Sequence, residues 1–172
     1  MSASVPKPRL FLPVAAGNNR GEPVYDSIEE AWPEIEPFCD PLGSLLLVQM
    51  RLPPLKLSGA FEVSQDDRMT ERDNCQIGKV IAVGPLAFRN RETAQLWPEG
   101  AWCAVGDFII VPKYQGERTR TKWKRVETYH DYDGTERKRS VEDDLEVVLF
   151  KDLAMLGKIK SAEKAMSFRN FL

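Results

Sequence analysis

Cysteine and histidine, the residues that most often ligate metals or act as nucleophiles, are few in this chain. The three cysteines, Cys39, Cys75 and Cys103, lack C-x-x-C spacing, and the single histidine is His130. A structural zinc site takes four nitrogen or sulfur ligands, so three scattered thiols and one histidine in a polar stretch argue against a metal. An odd set of cysteines is typical of small apolar side chains in a reducing cytoplasm rather than of a disulfide framework.

Carboxylates and lysines are abundant, but they do not form a recognisable catalytic motif. The sequence contains no nucleophile elbow, no phosphate-binding loop and no paired catalytic motif. We therefore expect a protein that is not an enzyme, with no catalytic residues, no metal and no cofactor.

One basic stretch has the composition of a nucleic-acid-binding surface. Its cations are Arg118, Arg120, Lys122, Lys124 and Arg125, with Trp123 between them. Basic residues interleaved with aromatic residues are typical of single-strand binders. An acidic run at 142–144 lies close in sequence, however, and a solvated hairpin face explains the same charges more simply. Nucleic acid is therefore the weakest of the partners considered.

Overall composition places the chain among ordinary globular proteins. It has 172 residues, of which 42% are hydrophobic and 29% charged, with a formal charge of −2. This charge argues against non-specific nucleic-acid binding by the whole molecule. No run reaches the roughly 18 apolar residues of a membrane span, and the first residues lack the apolar core of a signal peptide. We expect a cytoplasmic protein without a membrane partner.

Short strands with turn signals between them make up the centre of the chain, which favours an all-β barrel or sandwich. The predicted strands lie at 44–51, 76–85, 105–112 and 145–150. The third is apolar at every position from Phe108 to Pro112, so both of its faces should be covered in the interior of a sheet.

A protruding β-hairpin is predicted at about 118–142. Polar and basic residues alternate at period two before Asp133-Gly134, a dipeptide typical of hairpin turns, and a second basic run follows. Side chains alternate along a strand, so successive residues of the first strand should lie on opposite faces of the hairpin. One face should carry Thr119, Thr121 and Trp123, and the other face Arg120, Lys122 and Lys124.

Both ends of the chain differ from this centre. Six prolines punctuate residues 1–40, and one short helix is predicted at 27–32, where Ser27 and Glu30 have capping-box spacing. The apolar residues of this region favour an arm that lies along a protein surface; a floppy terminus is the alternative. Residues 158–172 form a short tail with helical spacing of small apolar residues.

The order of motifs in residues 41–157 resembles the GroES-like co-chaperonins, especially those encoded by tailed phages. The resemblance rests on a strand, a long polar loop, the sequence G-K-V-I-A-V-G-P, and the sequence V-G-D-F-I-I-V-P-K-Y. It covers about two thirds of the chain. It implies a GroES-like β-barrel, to which this chain adds an irregular N-terminal arm, an inserted hairpin and a C-terminal tail. It also implies a self-associating, ring-forming lid for a chaperonin folding chamber.

The resemblance further implies a mobile, partner-binding loop at about 56–75. In the family a glycine pair precedes three aliphatic residues that enter an apolar groove on each chaperonin subunit. The corresponding residues of this chain are Gly59, Ala60, Phe61, Glu62 and Val63. Ala60 stands at the second glycine position and Glu62 within the triplet, yet an extended peptide can direct Phe61 and Val63 to the groove and Glu62 to water. The charged residues 65–74 predict a flexible return of the loop; a simple solvated connection is the alternative.

The sequence leaves two functions open. The first is a non-enzymatic co-chaperonin in the cytoplasm of an infected host cell, with a chaperonin as its protein partner. The second is a virion decoration or cement protein, built on the same barrel and held on a viral capsid shell by its N-terminal arm, hairpin and tail.

Overall fold

The computed structural model describes residues 23–57 and 61–168. These residues form nine β-strands, three short α-helices and a 3-10 turn, so the all-β prediction is confirmed at this level. The strands are β1 (Pro23–Val24), β2 (Leu45–Met50), β3 (Lys56–Leu57), β4 (Phe61–Glu62), β5 (Ile77–Val83), β6 (Phe108–Ile110), β7 (Glu117–His130), β8 (Glu136–Lys151) and β9 (Gly157–Ile159). The helices are α1 (Ile28–Ala31), α2 (Gln65–Asn74) and α3 (Ala162–Ser167), and the 3-10 turn is Asp152–Ala154.

The main sheet is antiparallel and has six strands in the order β7-β8-β2-β5-β6-β9. Strand β2 lies at its centre, and Leu46, Leu47 and Val48 are completely buried. Consecutive residues of a strand point to opposite faces, so full burial of all three means that apolar layers cover both faces of the sheet. This explains why the predicted strand at 44–51 is a continuous apolar run rather than an alternating one.

Strand β6 is shorter than the predicted span 105–112 because a turn occupies its beginning. Gly106 has a φ of +94°, which favours glycine, and the backbone N–H of Ala104 donates to Asp107 Oδ2 at 2.8 Å. The strand pairs with β5 on one side and β9 on the other. Its predicted interior position is confirmed.

Strands β7 and β8 form the predicted hairpin, with the predicted faces. Lys122 lies opposite Asp144 and Trp123 opposite Asp143, and the turn contains Gly134 with a φ of +80°. The separation of a strand at 145–150 from this hairpin was wrong, because β8 runs unbroken from the turn into the main sheet. We call residues 120–146 the arm, since β8 pairs with β2 only from Val147 onward.

Residues that precede β2 and residues that follow β9 complete the core. Trp32 is 1% exposed, and its ring centroid lies 4.7 Å from that of Phe108 in β6. Ala165 of α3 is fully buried in the same cluster. The helix predicted at 27–32 is confirmed as α1, where the N–H of Glu30 donates to Ser27 Oγ, and α3 confirms the helical character of the tail.

The long excursion between β5 and β6, residues 84–107, packs on this core through an aromatic pair. Phe88 is buried, and its ring centroid lies 5.8 Å from that of Trp102. The backbone N–H of Phe88 donates to Asp152 Oδ2 at 2.6 Å, so a buried carboxylate in the 3-10 turn after β8 anchors the excursion. Satisfying this buried N–H offsets the cost of removing it from water.

Candidate partner-binding surfaces

The predicted partner-binding segment folds back on itself as a small β-hairpin. Strands β3 and β4 pair with Lys56 opposite Glu62 and Leu57 opposite Phe61, and the N–H of Val63 donates to the carbonyl of Leu55 at 3.0 Å. We call the described residues of this segment, 55–57 and 61–63, the docking hairpin, after the role predicted for it.

Of the five predicted partner-binding residues, Phe61 and Glu62 lie in β4 and Val63 directly follows it. Gly59 and Ala60 lie outside the described residues.

Strand β1 holds the base of the docking hairpin. Pro23 lies opposite Leu57 and Val24 opposite Lys56, which makes β3 the middle strand of a three-stranded sheet. Pro23 is the first residue of its strand, a position where the missing N–H is tolerated. The hairpin is therefore attached to the N-terminal flank as well as to the chain on either side of it.

The predicted flexible return at 65–74 was wrong, because these residues form helix α2. The Ser64 hydroxyl caps the helix by accepting from the N–H of Asp67 at 3.2 Å, and Asp66 and Asp67 occupy the first turn. Arg72 lies in the last turn, where a cation is favourable. The S-x-x-D pattern was a sequence signal for this N-terminus, but the segment lacks the apolar periodicity that normally identifies a helix.

Helix α2 lies against the exposed edge of β8 and is held there by charge. Arg68 Nη2 lies 2.6 Å from Asp143 Oδ1, and Arg72 Nη1 lies 2.9 Å from Asp144 Oδ2. None of the residues of α2 is buried, so an apolar stripe does not attach this helix. We call these four residues the latch.

A buried arginine connects α2 to the C-terminal helix. Arg51 Nη1 donates to the carbonyls of Ala165, Met166 and Phe168 at 2.8–2.9 Å, and its Nη2 donates to Glu71 at 3.1 Å. These carbonyls belong to the end of α3, where backbone acceptors lack helical partners. The sequence alone does not single out Arg51, because an arginine at the end of an apolar strand gives no indication of its partners.

The predicted basic patch is neutralised by carboxylates. Glu146, only 2% exposed, accepts from both Arg118 and Arg120. Lys122 Nζ lies 2.6 Å from Asp144, and Lys124 Nζ lies 3.5 Å from Glu142. Arg125 Nη2 lies 2.8 Å from Asp143 Oδ2. The paired charges favour a solvated hairpin face over a nucleic-acid surface.

Two of the cysteines are poor nucleophiles. Cys75 and Cys103 are buried free thiols. Burial raises the pKa of the Cys75 thiol, and burial, reinforced by the negative charge of Asp107, raises the pKa of Cys103 to about 11. Since the thiolate is the reactive form, both side chains should be inert near neutral pH.

Comparison with known proteins leaves the family open. No family model matches the chain, and no curated protein matches it significantly. None of the helices in the described parts of the chain is long and apolar enough to cross a membrane.

Proposed function

We propose that this protein is a non-enzymatic, GroES-like co-chaperonin that caps a chaperonin folding chamber, with the six-stranded sheet as the wall of its β-barrel. The observation that carries the proposal is the docking hairpin itself. It lies between β2 and β5, neighbouring antiparallel strands of the main sheet, which is where the resemblance expects a chaperonin-binding segment. The Asp152 turn after β8 also supports the resemblance, which expects such a turn before the chain closes.

The physical basis of capping is a weak contact repeated around a ring. A few apolar side chains on each subunit enter the partner's grooves, and self-association multiplies their individual affinities through avidity. A segment whose two strands are already paired loses less conformational entropy on docking than a free loop. Because less entropy is lost, the two apolar residues of the triplet, Phe61 and Val63, need to supply less apolar contact with the groove.

The docking proposal predicts that the double substitution Phe61→Asp and Val63→Asp weakens chaperonin binding at least about tenfold. Each change places a carboxylate where the groove requires an apolar side chain, and burying it unpaired is costly. Native mass spectrometry of the protein with a purified bacterial chaperonin and ATP measures both the ring and the complex.

The matched control carries the same number of new carboxylates on exposed residues of the arm, Val126→Asp and Tyr132→Asp. These side chains are 69% and 101% exposed. The control should bind the chaperonin as the natural protein does. Equal binding by all three proteins would contradict docking through Phe61 and Val63, and failure of the natural protein to bind would contradict the co-chaperonin function.

The arm supports a second candidate function, a decoration or cement subunit of a phage capsid. It extends beyond the strands that pair with β2 and presents Val126 and Tyr132 to solvent, and the resemblance to a lid does not account for it. Such a subunit should be present in purified virus particles, and the variant with Val126→Asp and Tyr132→Asp should be lost from them. Mass spectrometry of particles that contain none of this chain would contradict the second function.

A further inference from the structure

The latch joins α2 to β8, and its residues Arg68 and Asp143 lie 75 residues apart in sequence. The side chains of this pair are 15% and 14% exposed, and those of Arg72 and Asp144 are 11% and 28% exposed. Partly buried charges are screened less by salt than exposed ones. Salt should therefore weaken these two ion pairs less than it weakens typical surface pairs.

The geometry of the latch fixes an orientation as well as a position. Asp143 and Asp144 are consecutive in β8, so their side chains project to opposite faces of the strand. Arg68 and Arg72 are four residues apart and lie on one side of α2. The helix thus contacts both faces of β8 at its edge. Two ion pairs one helical turn apart should restrict rotation of α2 about its axis as well as its separation from β8.

The latch is close to the docking hairpin along the chain. Only Val63 and Ser64 separate β4 from α2, and Ser64 is itself fixed as the N-cap of the helix. The hairpin and the helix are therefore joined by only two residues, one of which is fixed by the helix cap.

We propose that Arg68 and Arg72 are positioning residues, which hold the docking hairpin in one orientation by latching α2 to the base of the arm. The link to docking rests on the function proposed above, whereas the latch itself does not. The role assigned to the arm is to supply the carboxylates of the latch. Partner binding through the hairpin then benefits from ordering that is completed before the partner arrives.

Substitution of the two arginines of α2 tests the latch without leaving either aspartate unpaired. Asp143 retains its ion pair with Arg125, and Asp144 retains its ion pair with Lys122. The test variant therefore carries Arg68→Gln and Arg72→Gln. Its matched control carries Lys124→Gln and Lys138→Gln, which remove the same charge from exposed positions of the arm.

Hydrogen exchange measured by mass spectrometry on the protein alone gives the decisive result. In the test variant, we expect amides of residues 61–75 to exchange about tenfold faster, while those of β2 and β5 keep their natural rates. The control should match the natural protein throughout. Replacement by lysine, Arg68→Lys and Arg72→Lys, should restore part of the protection because it keeps the positive charges. Restoration should be incomplete because an ammonium group lacks the planar set of N–H donors of a guanidinium.

Three outcomes would overturn the proposal. The first is unchanged exchange in residues 61–75, the second is an equal effect in the control, and the third is a uniform increase throughout the core, which would indicate only a general loss of stability. The exchange experiment contains no chaperonin, so its failure leaves the docking result standing. If docking occurs as proposed, the test variant should also bind the chaperonin about threefold to tenfold more weakly, with partial recovery in the lysine variant.

Discussion

Replacing Trp32 with alanine should lower the free energy of unfolding by about 4 kcal/mol, within the range of large-to-small substitutions of buried tryptophan. The side chain is 1% exposed, and its ring packs on Phe108 of β6. Its removal would leave a cavity between α1 and the sheet that the surrounding strands cannot fill without distortion. Urea denaturation followed by circular dichroism measures the change, which should appear in the midpoint rather than in the slope.

Two controls separate the causes of this loss. Phe38→Ala lies in the same flank of the chain, but the side chain is 60% exposed, so the expected change is within about 0.5 kcal/mol. Trp32→Phe keeps an aromatic ring and removes an indole N–H that is buried without an acceptor among the described residues. We expect it to cost less than about 1.5 kcal/mol. A loss below about 1 kcal/mol for Trp32→Ala would mean that this flank does not belong to the core.

Replacing Arg51 with methionine should lower the free energy of unfolding by about 3 kcal/mol, as expected when one member of a buried charged network is removed. Methionine has a similar length but cannot donate. The carbonyls of Ala165, Met166 and Phe168 then lose their donor, while Glu71, whose side chain is 34% exposed, can turn to water. Hydrogen exchange should show the loss first in α3.

Arg51→Lys provides the graded comparison. An ammonium group retains the charge, but it lacks the planar fork with which Arg51 serves α3 and Glu71 at once, so an intermediate loss is expected. Unaltered stability and unaltered exchange in α3 for Arg51→Met would contradict the role of this arginine as the connection between the two helices.

Local signals in the sequence predicted the elements that local physics specifies. The Asp133-Gly134 turn and the period-two runs beside it predicted the β7–β8 hairpin and its two faces, because turn geometry and side-chain alternation act over a few residues. Ser27 and Glu30 predicted α1 for the same reason, since a cap lies next to the helix it begins. The apolar runs predicted β2, β5 and β6.

Helix α2 is an element that hydrophobic periodicity did not predict. Its only large apolar residue is Met69, which is 47% exposed, so hydrophobic periodicity carried no signal. The helix is held in the fold by arginines whose carboxylates lie more than 70 residues away in sequence. A charged side chain does not indicate its partner, because every carboxylate in the chain is an equally good candidate until the fold brings one close.

By itself, the sequence determined the all-β class, the hairpin with its two faces and the short helix at 27–32. These follow from propensity, periodicity and turn chemistry, which act between near neighbours. Only the tertiary structure decided that Trp32 belongs to the core, that Arg51 serves the end of α3, and that Arg68 and Arg72 meet Asp143 and Asp144. Each of these contacts joins residues far apart in the chain, and their partners become neighbours only when the sheet has formed.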